Sequence, residues 1–384
     1  MDLRNKTIAV ALSGGADSLY SLISLLERGR EAFGLHGIFL TPDNEAQAQA
    51  ALDMRERLAA SCERLGAPLH VADLREDFTR LVIRPFVEAY AQGLTPNPCA
   101  HCNAAIKFGL LQDAALALGA GRLATGHYAA LSPSPSIALY QGEDAAKDQS
   151  YFLGLVPVER LGRALFPLEA ARKSDVLASL RERGVEPPQP GESQEVCFIP
   201  GDEYRDFVPR MAERFGIRLP GPGPMLLADG TKVAAHQGLW RYTEGQRKGL
   251  GVGWKEPLYV IGKERSGDVL RLGPRPELHA SGCECDPVNY LLPFDCWPKT
   301  VLVKTRYRER PKAAIAERME GGGLRIRFAE ADSAVAAGQI AAVYVPGSDA
   351  IADGGLDGGG PEEAGMGENG PLRLVAGGVI TRGL

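Results

Sequence analysis

The stretch that decides the fold is TIAVALSGGADS, residues 7–18. Its first half is short and apolar, as expected of a buried strand, and an amphipathic helix pattern follows from residue 19. Between them, two adjacent glycines let backbone N–H groups turn inward without a Cβ clash, and the serine hydroxyls add donors. A loop of this kind in front of a helix N-terminus is suited to bind a pyrophosphate group.

Apolar runs and helical patterns alternate along the first third of the chain. The apolar runs lie at residues 7–12, 34–40, 69–74 and 122–125, and the helical patterns lie at residues 19–28, 45–65, 78–91 and 104–118. This alternation predicts βαβ units and an α/β fold with a doubly wound, Rossmann-like parallel sheet. Ligands bind such sheets at the carboxyl ends of the strands, where the loop after residue 12 and Gly126 are expected.

The pattern of apolar runs in the sequence changes after about residue 206. The chain has 384 residues, too many for one core, and short strand-like runs separated by glycine and proline follow the PGPGP stretch at residues 220–224. We predict a catalytic domain at 1–206, a small β-rich central domain at 207–276 and a C-terminal β-barrel at 277–384. The acidic, glycine-rich residues 346–371 are predicted to form a mobile loop, with residues 372–381 as the last barrel strand.

Charge and composition restrict the functional classes. A net charge of −5 argues against a protein that coats nucleic acid, although it allows a local basic surface. No apolar stretch reaches the ~20 residues that span a bilayer, which predicts a cytoplasmic protein without a membrane partner. Seven cysteines favour catalysis, redox chemistry or metal binding over a disulfide framework. We expect Cys62 and Cys296 to be small core residues.

A second informative segment is TPNPCAHCN, residues 95–103, followed by IKFG at residues 106–109. Asn103 is expected to begin the next helix, which would place Cys102 near a helix N-terminus where the dipole favours a thiolate. Far downstream, SQEVCFI at residues 193–199 supplies another thiol, Cys197.

The loop at residues 13–18 lacks the Gly-Lys-Ser/Thr of the common mononucleotide loop and resembles the SGGxDS loop of N-type ATP pyrophosphatases. Further segments occur in the same order as in a known family: TPNPCAHCN with IKFG, ATGHYA, KDQSYFL from Lys147, SQEVCFI, YTEGQRKGLG from Tyr242, and RYR at Arg306. The whole chain thereby resembles the tRNA-specific 2-thiouridylases. The resemblance implies an adenine nucleotide α hydrolase-like domain and ATP-dependent replacement of O2 by sulfur in the wobble uridine of tRNA, with AMP and pyrophosphate as products.

The resemblance also implies roles for individual residues. Cys102 would be the nucleophile, and Cys197 would carry the persulfide. Asp17 would help to hold Mg²⁺ with ATP. The residues expected to bind ATP are Ala11, Leu12, Ser13, Gly14, Gly15, Ala16, Asp17, Ser18, Phe39 and Gly126. Those expected to contact tRNA or the target base are Asn97, Pro98, Cys99, His127, Lys147, Asp148, Gln149, Arg306, Tyr307 and Gln339.

The chain departs from the family pattern at one position. Where the family usually reads Asn-Pro-Asp, this sequence has Asn97-Pro98-Cys99. Cys99, Cys102 and Cys197 could then hold three irons of a [4Fe–4S] cluster, as in related iron–sulfur tRNA thiolases. This cluster is an alternative to the persulfide relay. Structural zinc is a weaker alternative, because Cys283-x-Cys285 has the wrong spacing to complete a site with Cys99-x-x-Cys102.

The expected partner is the anticodon stem-loop of tRNA. Residues 299–327 hold nine basic and three acidic residues, and the arginines that flank Tyr307 suit an RNA backbone and an unstacked base. Sulfur would come from a donor protein or from sulfide, and the protein is expected to be a monomer. The competing hypotheses are another adenylating ligase of the lysidine-synthetase type, which needs no paired thiols, and a tRNA-binding protein without turnover.

Overall fold

The computed structural model describes residues 7–132, 137–189, 196–199, 201, 203–332, 334–347 and 370–384. These residues form three β-sheets of five, four and eight strands. Residues 193–195 of the SQEVCFI segment and most of the predicted mobile loop at residues 346–371 lie outside the described residues. No helix in the described part of the chain is both long and apolar enough to cross a membrane.

The first sheet is parallel throughout and has the order β3-β2-β1-β4-β7. Its strands are β1 Ile8–Ala11, β2 Ala32–Ile38, β3 Leu69–Asp73, β4 Arg122–Ala124 and β7 Ala164–Leu165. The strand order reverses between β1 and β4, which creates the crevice where open α/β sheets bind ligands. The predicted α/β class is confirmed, whereas β7, only two residues long, carried no sequence signal.

Helices cover both faces of this sheet. The α-helices are α1 Ala16–Glu27, α2 Glu45–Arg64, α3 Arg75–Phe78, α4 Arg84–Ala91, α5 Pro98–Cys102, α6 Gln112–Ala117, α7 Val158–Leu161, α8 Lys173–Glu182 and α9 Tyr204–Phe215. Segments of π-helix at Thr79–Ile83 and Asn103–Leu111 connect α3 to α4 and α5 to α6. Ile8 and Val10 pack against α1 and α2, while Ala9 packs against Leu111 and Ala115 on the opposite face.

The second sheet has the order β10-β11-β8-β9. Its strands are β8 Gly223–Leu226, β9 Lys232–His236, β10 Tyr259–Glu264 and β11 Val269–Gly273. Met225, Val260 and Leu270 are buried between them and the following loops. Strands β10 and β11 coincide with two of the predicted strand-like runs, at residues 258–261 and 269–272, whereas β8 begins inside the proline-glycine stretch that was expected to precede the strands.

The third sheet contains a closed six-stranded barrel, as predicted. Its strands are β12 Ala280–Tyr290, β13 Val301–Lys304, β14 Lys312–Arg318, β15 Leu324–Asp332, β16 Ile340–Pro346 and β17 Leu372–Gly383. They follow the order β12-β15-β14-β13-β16-β17, and pairing of β12 with β17 closes the barrel. The last strand is formed by the residues expected to form it.

A hairpin from the N-terminal half extends this barrel sheet. Strands β5 Ala129–Ser132 and β6 Ala138–Gln141 pair with each other, and β6 pairs with β17 at Arg373 and Leu374. The hairpin was not predicted, because its strands are short and the partner strand lies far away in sequence. Backbone hydrogen bonds therefore join the nucleotide-binding region to the barrel, across the predicted domain boundary.

The cysteines outside the candidate site divide into two groups. Cys62 is buried with Leu58 in the core under the first sheet, as expected, and Cys283 and Cys285 are buried inside the barrel. Cys296 is exposed in a short 3₁₀ helix, so its predicted core position is wrong. Partly buried Trp297, and not Cys296, fills the apolar position there by packing with Phe294.

Candidate active site

The loop at residues 13–18 links the end of β1 to the first turn of α1. Ser13 and Ser18 stabilise it, because the Gly15 N–H donates to Ser13 Oγ at 3.3 Å and Ser18 Oγ donates to the Gly15 carbonyl at 2.9 Å. Gly14 has a φ of +89°, which favours glycine. Ala11 ends β1, Leu12 N–H bonds to the Leu35 carbonyl, and Ala16 begins α1.

Gly126 brings the end of β4 against this loop. A Cβ placed at Gly126 would lie 2.9 Å from the Asp17 carbonyl carbon and from the Ser18 backbone nitrogen. Backbone atoms cannot give way as a flexible side chain can, so this close approach requires glycine. The two segments expected to hold ATP therefore meet in the crevice between β1 and β4.

The carboxylate of Asp17 already has strong partners. Lys173 Nζ lies 2.7 Å from both carboxylate oxygens, and the Tyr128 hydroxyl donates to Oδ1 at 2.8 Å. Lys173 is the first residue of α8, and its side chain is 13% exposed. Mg²⁺ bound at Asp17 would compete with the ammonium for these oxygens. Lys173 lies in no recognised motif, so its place at the loop could not be predicted from the sequence.

Phe39 lies one residue past the end of β2, at the same edge of the sheet as the loop. Its ring stacks on Phe78 with a centroid distance of 5.4 Å and is partly buried. Phe78 in turn contacts Phe198 at 5.8 Å, next to Cys197. The aromatic cluster thus connects the expected adenosine side of the crevice with the second cysteine segment.

The helix that carries Cys102 begins earlier than predicted. Asn97 is its N-cap, because Oδ1 accepts a hydrogen bond from the Ala100 N–H at 3.1 Å, and α5 starts at Pro98. Asn103 lies inside the continuing helix and donates to the Phe152 carbonyl at 3.0 Å, so the expectation that it begins the helix is wrong. Cys99 is thereby placed in the first turn.

The structure brings the thiols of Cys99, Cys102 and Cys197 together. A negative charge on Cys197 or Cys99 raises the pKa of Cys102, so the three groups lie within electrostatic range. Cys102 is buried, whereas Cys99 and Cys197 each keep a solvent-accessible face in the crevice, although the surrounding protein atoms still desolvate both thiols. Phe198 and Ile199 hold the second segment in place, because both are buried in the core that contains Phe86.

Burial controls the protonation of these thiols. It raises the pKa of Cys102 to about 12 and that of Cys197 to about 11, and it also raises the pKa of Cys99. The expectation that the helix dipole makes Cys102 a thiolate is therefore wrong. A dipole contributes roughly 0.3–1 kcal/mol at an exposed terminus, less than the cost of taking a thiolate out of water.

Lys107 is a cation that acts on all three thiols. Its charge lowers the pKa of all three thiols, against the effect of burial. Lys107 Nζ lies 3.5 Å from His127 Nε2, and His127 Nδ1 lies 2.7 Å from Thr125 Oγ1. Lys107 lies in the IKFG segment, but a lone lysine there carried no signal for this role.

His127 is buried, with its ring near those of Phe108 and Phe166. Burial and the charge of Lys107 hold its pKa well below the usual value, so the imidazole is neutral at physiological pH. His127 follows Gly126, and it therefore links the nucleotide loop to Lys107 and the thiols. The sequence predicted that His127 contacts tRNA, but in this structure its ring lies beneath the surface of the pocket.

The thiols do not form a preformed site for a single metal ion. Within the described ranges, no group of three His, Cys, Asp or Glu side chains is close enough to hold one. The zinc alternative thus gains no support from Cys99 and Cys102 or from the buried pair Cys283 and Cys285. A four-iron cluster binds its cysteines through separate irons, so its ligands are spaced more widely than those of one ion.

Gln339 joins the barrel to the segment before Cys99. Its Nε2 donates to the carbonyls of Thr95 and Pro96 at 3.0 and 3.2 Å, and its Oε1 accepts from Asn97 Nδ2 at 3.5 Å. Asn97 and Pro98 are buried beneath this contact. These expected base-contacting residues therefore meet an expected tRNA-contacting residue of the barrel.

Arg306 and Tyr307 lie on the barrel side of the crevice. Arg306 donates to the carbonyls of Glu244 and Ala334 at 3.0 and 2.8 Å, which links the central sheet to the barrel. Tyr307 packs on Phe152 with a ring distance of 4.5 Å, and Lys304 Nζ lies 5.8 Å from its ring centre. An aromatic ring beside cations suits an unstacked base.

The KDQ segment divides into buried and partly exposed residues. Asp148 is buried and accepts hydrogen bonds from Gln141, the Gly142 N–H and Ser150. Gln149 and Lys147 are both half-buried, and Gln149 Oε1 accepts a hydrogen bond from the Tyr128 N–H at 3.2 Å. Asp148 and Gln149 therefore hold the fold in this state, and Lys147 is the member best placed to reach RNA.

Comparisons with known proteins cover most of the chain. Three family models match consecutively: a tRNA methyl transferase HUP domain at residues 6–201, a tRNA methyl transferase PRC-barrel domain at residues 216–273, and an aminomethyltransferase beta-barrel domain at residues 281–355. The tRNA-specific 2-thiouridylase MnmA of Oleidesulfovibrio alaskensis is 51% identical over 344 residues, which are 88% of this chain and 95% of that protein. The protein of the same name from Lawsonia intracellularis is 46% identical over 343 residues, with the same coverage.

A solved structure also shows similarity, at a much lower level. The U34-tRNA thiolase NcsA from Methanococcus maripaludis with its [4Fe–4S] cluster aligns with a TM-score of 0.32 and 17% identity, over 55% of this chain and 66% of that chain. This weak likeness carries no argument about a cluster here.

Proposed function

The chain belongs to the family of tRNA-specific 2-thiouridylases, and from that premise we propose that its nucleotide loop and its cysteines perform the two halves of one reaction on the same uridine. It is a tRNA-uridine 2-sulfurtransferase that uses ATP. The proposal includes the domain boundaries and the residue roles that the sequence predicted.

In the first half, the uridine O2 attacks the α-phosphorus of MgATP and pyrophosphate leaves. This step is needed because oxide is a poor leaving group, whereas an adenylated oxygen departs as AMP. The N-terminus of α1 is proposed to provide N–H donors for the phosphates, while the N–H groups of Ser13 and Gly15 bond to serine hydroxyls and hold the loop in shape. Phe39 and Gly126 complete the nucleotide site at the ends of β2 and β4.

In the second half, the terminal sulfur of a persulfide on Cys197 attacks C2, and the C2–O bond breaks to release AMP. The uridine is then joined to Cys197 through a disulfide. Cys102, after losing its proton, attacks the Cys197 sulfur, so that 2-thiouridine leaves and a Cys102–Cys197 disulfide remains. The enzyme can be restored in two ways: a thiol reductant opens the disulfide and a donor protein transfers sulfane sulfur from its own persulfide to Cys197, or sulfide attacks the disulfide at the Cys197 sulfur, which leaves the Cys197 persulfide and the free Cys102 thiol.

The observation that carries this proposal is the meeting of Cys102 and Cys197 beside Lys107. Two distant stretches of sequence supply these thiols to one crevice. Lys107 contacts His127, and the neighbouring Gly126 lies against the nucleotide loop. An adenylating ligase of the lysidine-synthetase type has no use for paired thiols at this place, and a binding protein has no use for either half.

The target uridine is expected to flip out of the anticodon stem-loop, because stacking otherwise hides C2. Asn97, Pro98 and Cys99 are proposed to border the flipped base. We propose that Lys147, Arg306, Tyr307 and Gln339 contact tRNA directly. His127, Asp148 and Gln149, whose side chains bond within the protein, are proposed to shape the surface that the tRNA meets. We place the reaction in the cytoplasm and expect a monomer to perform it.

The test is mass spectrometry of tRNA nucleosides after incubation of the protein with tRNA, ATP and a sulfane-sulfur donor, which supplies the outer sulfur of the Cys197 persulfide. The wild type is expected to form 2-thiouridine, whereas C102S and C197S are not. C296S is the matched control, because Cys296 is exposed on the barrel. Activity that survives in C102S would favour the other ligase class, and absence of tRNA-dependent pyrophosphate release would favour a binding protein.

The [4Fe–4S] alternative rests on the third thiol, Cys99. Cys99, Cys102 and Cys197 would hold the cluster, which would supply an iron-bound sulfide in place of the persulfide. Anaerobic purification followed by iron and sulfide analysis of the wild type and C99A distinguishes the two routes. Iron that depends on Cys99 supports the cluster, while a fully active, iron-free wild type excludes it.

A further inference from the structure

The nucleotide loop contains no lysine or arginine, yet the structure places an ammonium group on it. In the common mononucleotide loop, a lysine within the motif reaches the outer phosphates. Here the sequence SGGADS has no such residue, and Lys173 reaches Asp17 from the start of α8. The cation comes from another part of the chain.

Packing and hydrogen bonds hold Lys173 in this position. Helix α8 packs on α1 through Val176 and Leu180, which are buried with Leu19 and Ile23. The Lys173 backbone N–H donates to Asp144 Oδ2 at 3.1 Å. The ammonium group is largely shielded from solvent, with 13% of the side chain exposed. This differs from a surface ion pair that forms and breaks freely.

The charges around Asp17 change when the nucleotide binds. MgATP brings a net negative charge to a loop that already holds the Asp17 carboxylate, and the departing pyrophosphate gains further charge as the bond from the α- to the β-phosphate breaks. If Mg²⁺ takes the Asp17 oxygens, the ammonium of Lys173 is released beside the phosphates. The same cation can therefore serve both states of the site.

Building on the function proposed above, we propose that Lys173 is the pyrophosphate-binding residue of this enzyme. It neutralises Asp17 while the loop is empty and binds the β- and γ-phosphates once MgATP occupies the loop. During adenylation it stabilises the charge that develops on the leaving pyrophosphate.

A second ion pair between the same two helices provides a matched control. Arg183 follows α8, and its guanidinium bonds to both carboxylate oxygens of Glu27, the last residue of α1. This pair is more exposed, at 35% and 52%, and it lies at the opposite end of α1 from the loop. If Lys173 only ties α8 to α1, loss of either cation should have similar effects.

The experiment is calorimetric titration of wild type, K173M, K173R and R183M with pyrophosphate and, separately, with AMP, both in the presence of Mg²⁺. For K173M we expect pyrophosphate binding to weaken roughly 10- to 100-fold, as for loss of a charge-assisted hydrogen bond, with AMP binding within about twofold of wild type. K173R should recover most of the loss, and R183M should behave as wild type.

Unchanged pyrophosphate binding in K173M, or an equal loss for pyrophosphate and AMP, would overturn the inference. If K173M does not fold, as judged by thermal unfolding, K173Q replaces it, because an amide keeps a hydrogen bond to Asp17 without the charge. The titration needs neither tRNA nor sulfur. Failure of the inference is therefore distinguishable from failure of the proposed function, which would appear as absence of 2-thiouridine with the wild type.

Discussion

The nucleotide loop and the thiol group lie in the same crevice but are prepared for chemistry in different ways. The loop is continuous in sequence, and its charge is already balanced, because Lys173 and Tyr128 bond to Asp17. The thiols come from two distant segments, and burial keeps them protonated, with the pKa of Cys102 raised to about 12. The nucleotide half is ready to bind its substrate, whereas the sulfur half must first be deprotonated.

This difference has a use. A neutral thiol is a weak nucleophile and resists oxidation, so the resting enzyme protects its reactive sulfurs. Lys107 is the group that offsets part of the burial effect at all three thiols. The two halves of the reaction should therefore respond differently to mutation and to pH.

The largest expected effect is that of C197S, which should abolish thiolation and leave adenylation intact. In C197S, 2-thiouridine should fall to background, at least about 10³-fold below wild type, because no persulfide can form. Pyrophosphate should still be released in one burst that depends on tRNA, since the nucleotide loop is intact. Quenched-flow measurement of both products checks this. Loss of the burst together with thiolation would show that the halves are not separable.

The next largest effect concerns the loop. Asp17→Asn removes the charge that faces Lys173, and we expect tRNA-dependent pyrophosphate release to fall on the order of 10²-fold. Asp53→Asn is the control, because Asp53 lies on exposed α2 and bonds only to Gln49 in the described contacts. Steady-state pyrophosphate assays compare the two. Equal rates for both variants would remove Asp17 from the nucleotide site.

Gly126→Ala tests the close approach of β4 to the loop. Its Cβ would lie 2.9 Å from backbone atoms of Asp17 and Ser18, so we expect ATP binding to weaken about tenfold, with some loss of stability. Gly253→Ala is the control, since a Cβ there meets no atom within 4 Å. ATP titration and thermal unfolding measure both effects. An unchanged ATP affinity would contradict the proposed contact.

The smallest expected effect is a pH difference between the halves. Burial raises the pKa of Cys102 to about 12 and that of Cys197 to about 11, so the thiolate fraction increases throughout the rise from pH 7 to 9, and thiolation in a single turnover should accelerate. Pyrophosphate release should change little over this range. Equal pH profiles for the two products would contradict the assignment.

Lys107→Ala sharpens the same comparison. Removing the cation raises the pKa of the thiols further, so thiolation at pH 7.5 should slow about three- to tenfold and recover at higher pH. Lys232→Ala, at an exposed position of β9, should have no effect.

Local patterns made much of the fold predictable. The alternation of apolar runs and helices predicted four of the five parallel strands, because each is a continuous apolar run next to a helical pattern. The hairpin β5–β6 was not predictable in this way, since no helical pattern separates its two strands and their partner β17 lies far along the chain. The start of the helix at Asn97 was missed because the capping asparagine sits inside a proline-rich stretch.

The sequence predicted those site residues that belong to a recognised motif. Residues 13–18, Cys102 and Cys197 were identified in this way, whereas Lys173 and Lys107 were not, because a lone lysine has no sequence signature. The protonation of Cys102 was mispredicted for a physical reason. Sequence position suggested the helix dipole, but the degree of burial, which sequence does not show, has the larger effect.

The most direct test of the central claim is a peptide map after one turnover. Wild-type protein, loaded with sulfane sulfur, is mixed with tRNA and ATP without reductant, and cysteine peptides are then analysed under non-reducing conditions. The account predicts a disulfide between Cys102 and Cys197 in an amount equal to the 2-thiouridine formed, with Cys296 unlinked. Formation of 2-thiouridine while both cysteines remain unlinked would contradict it.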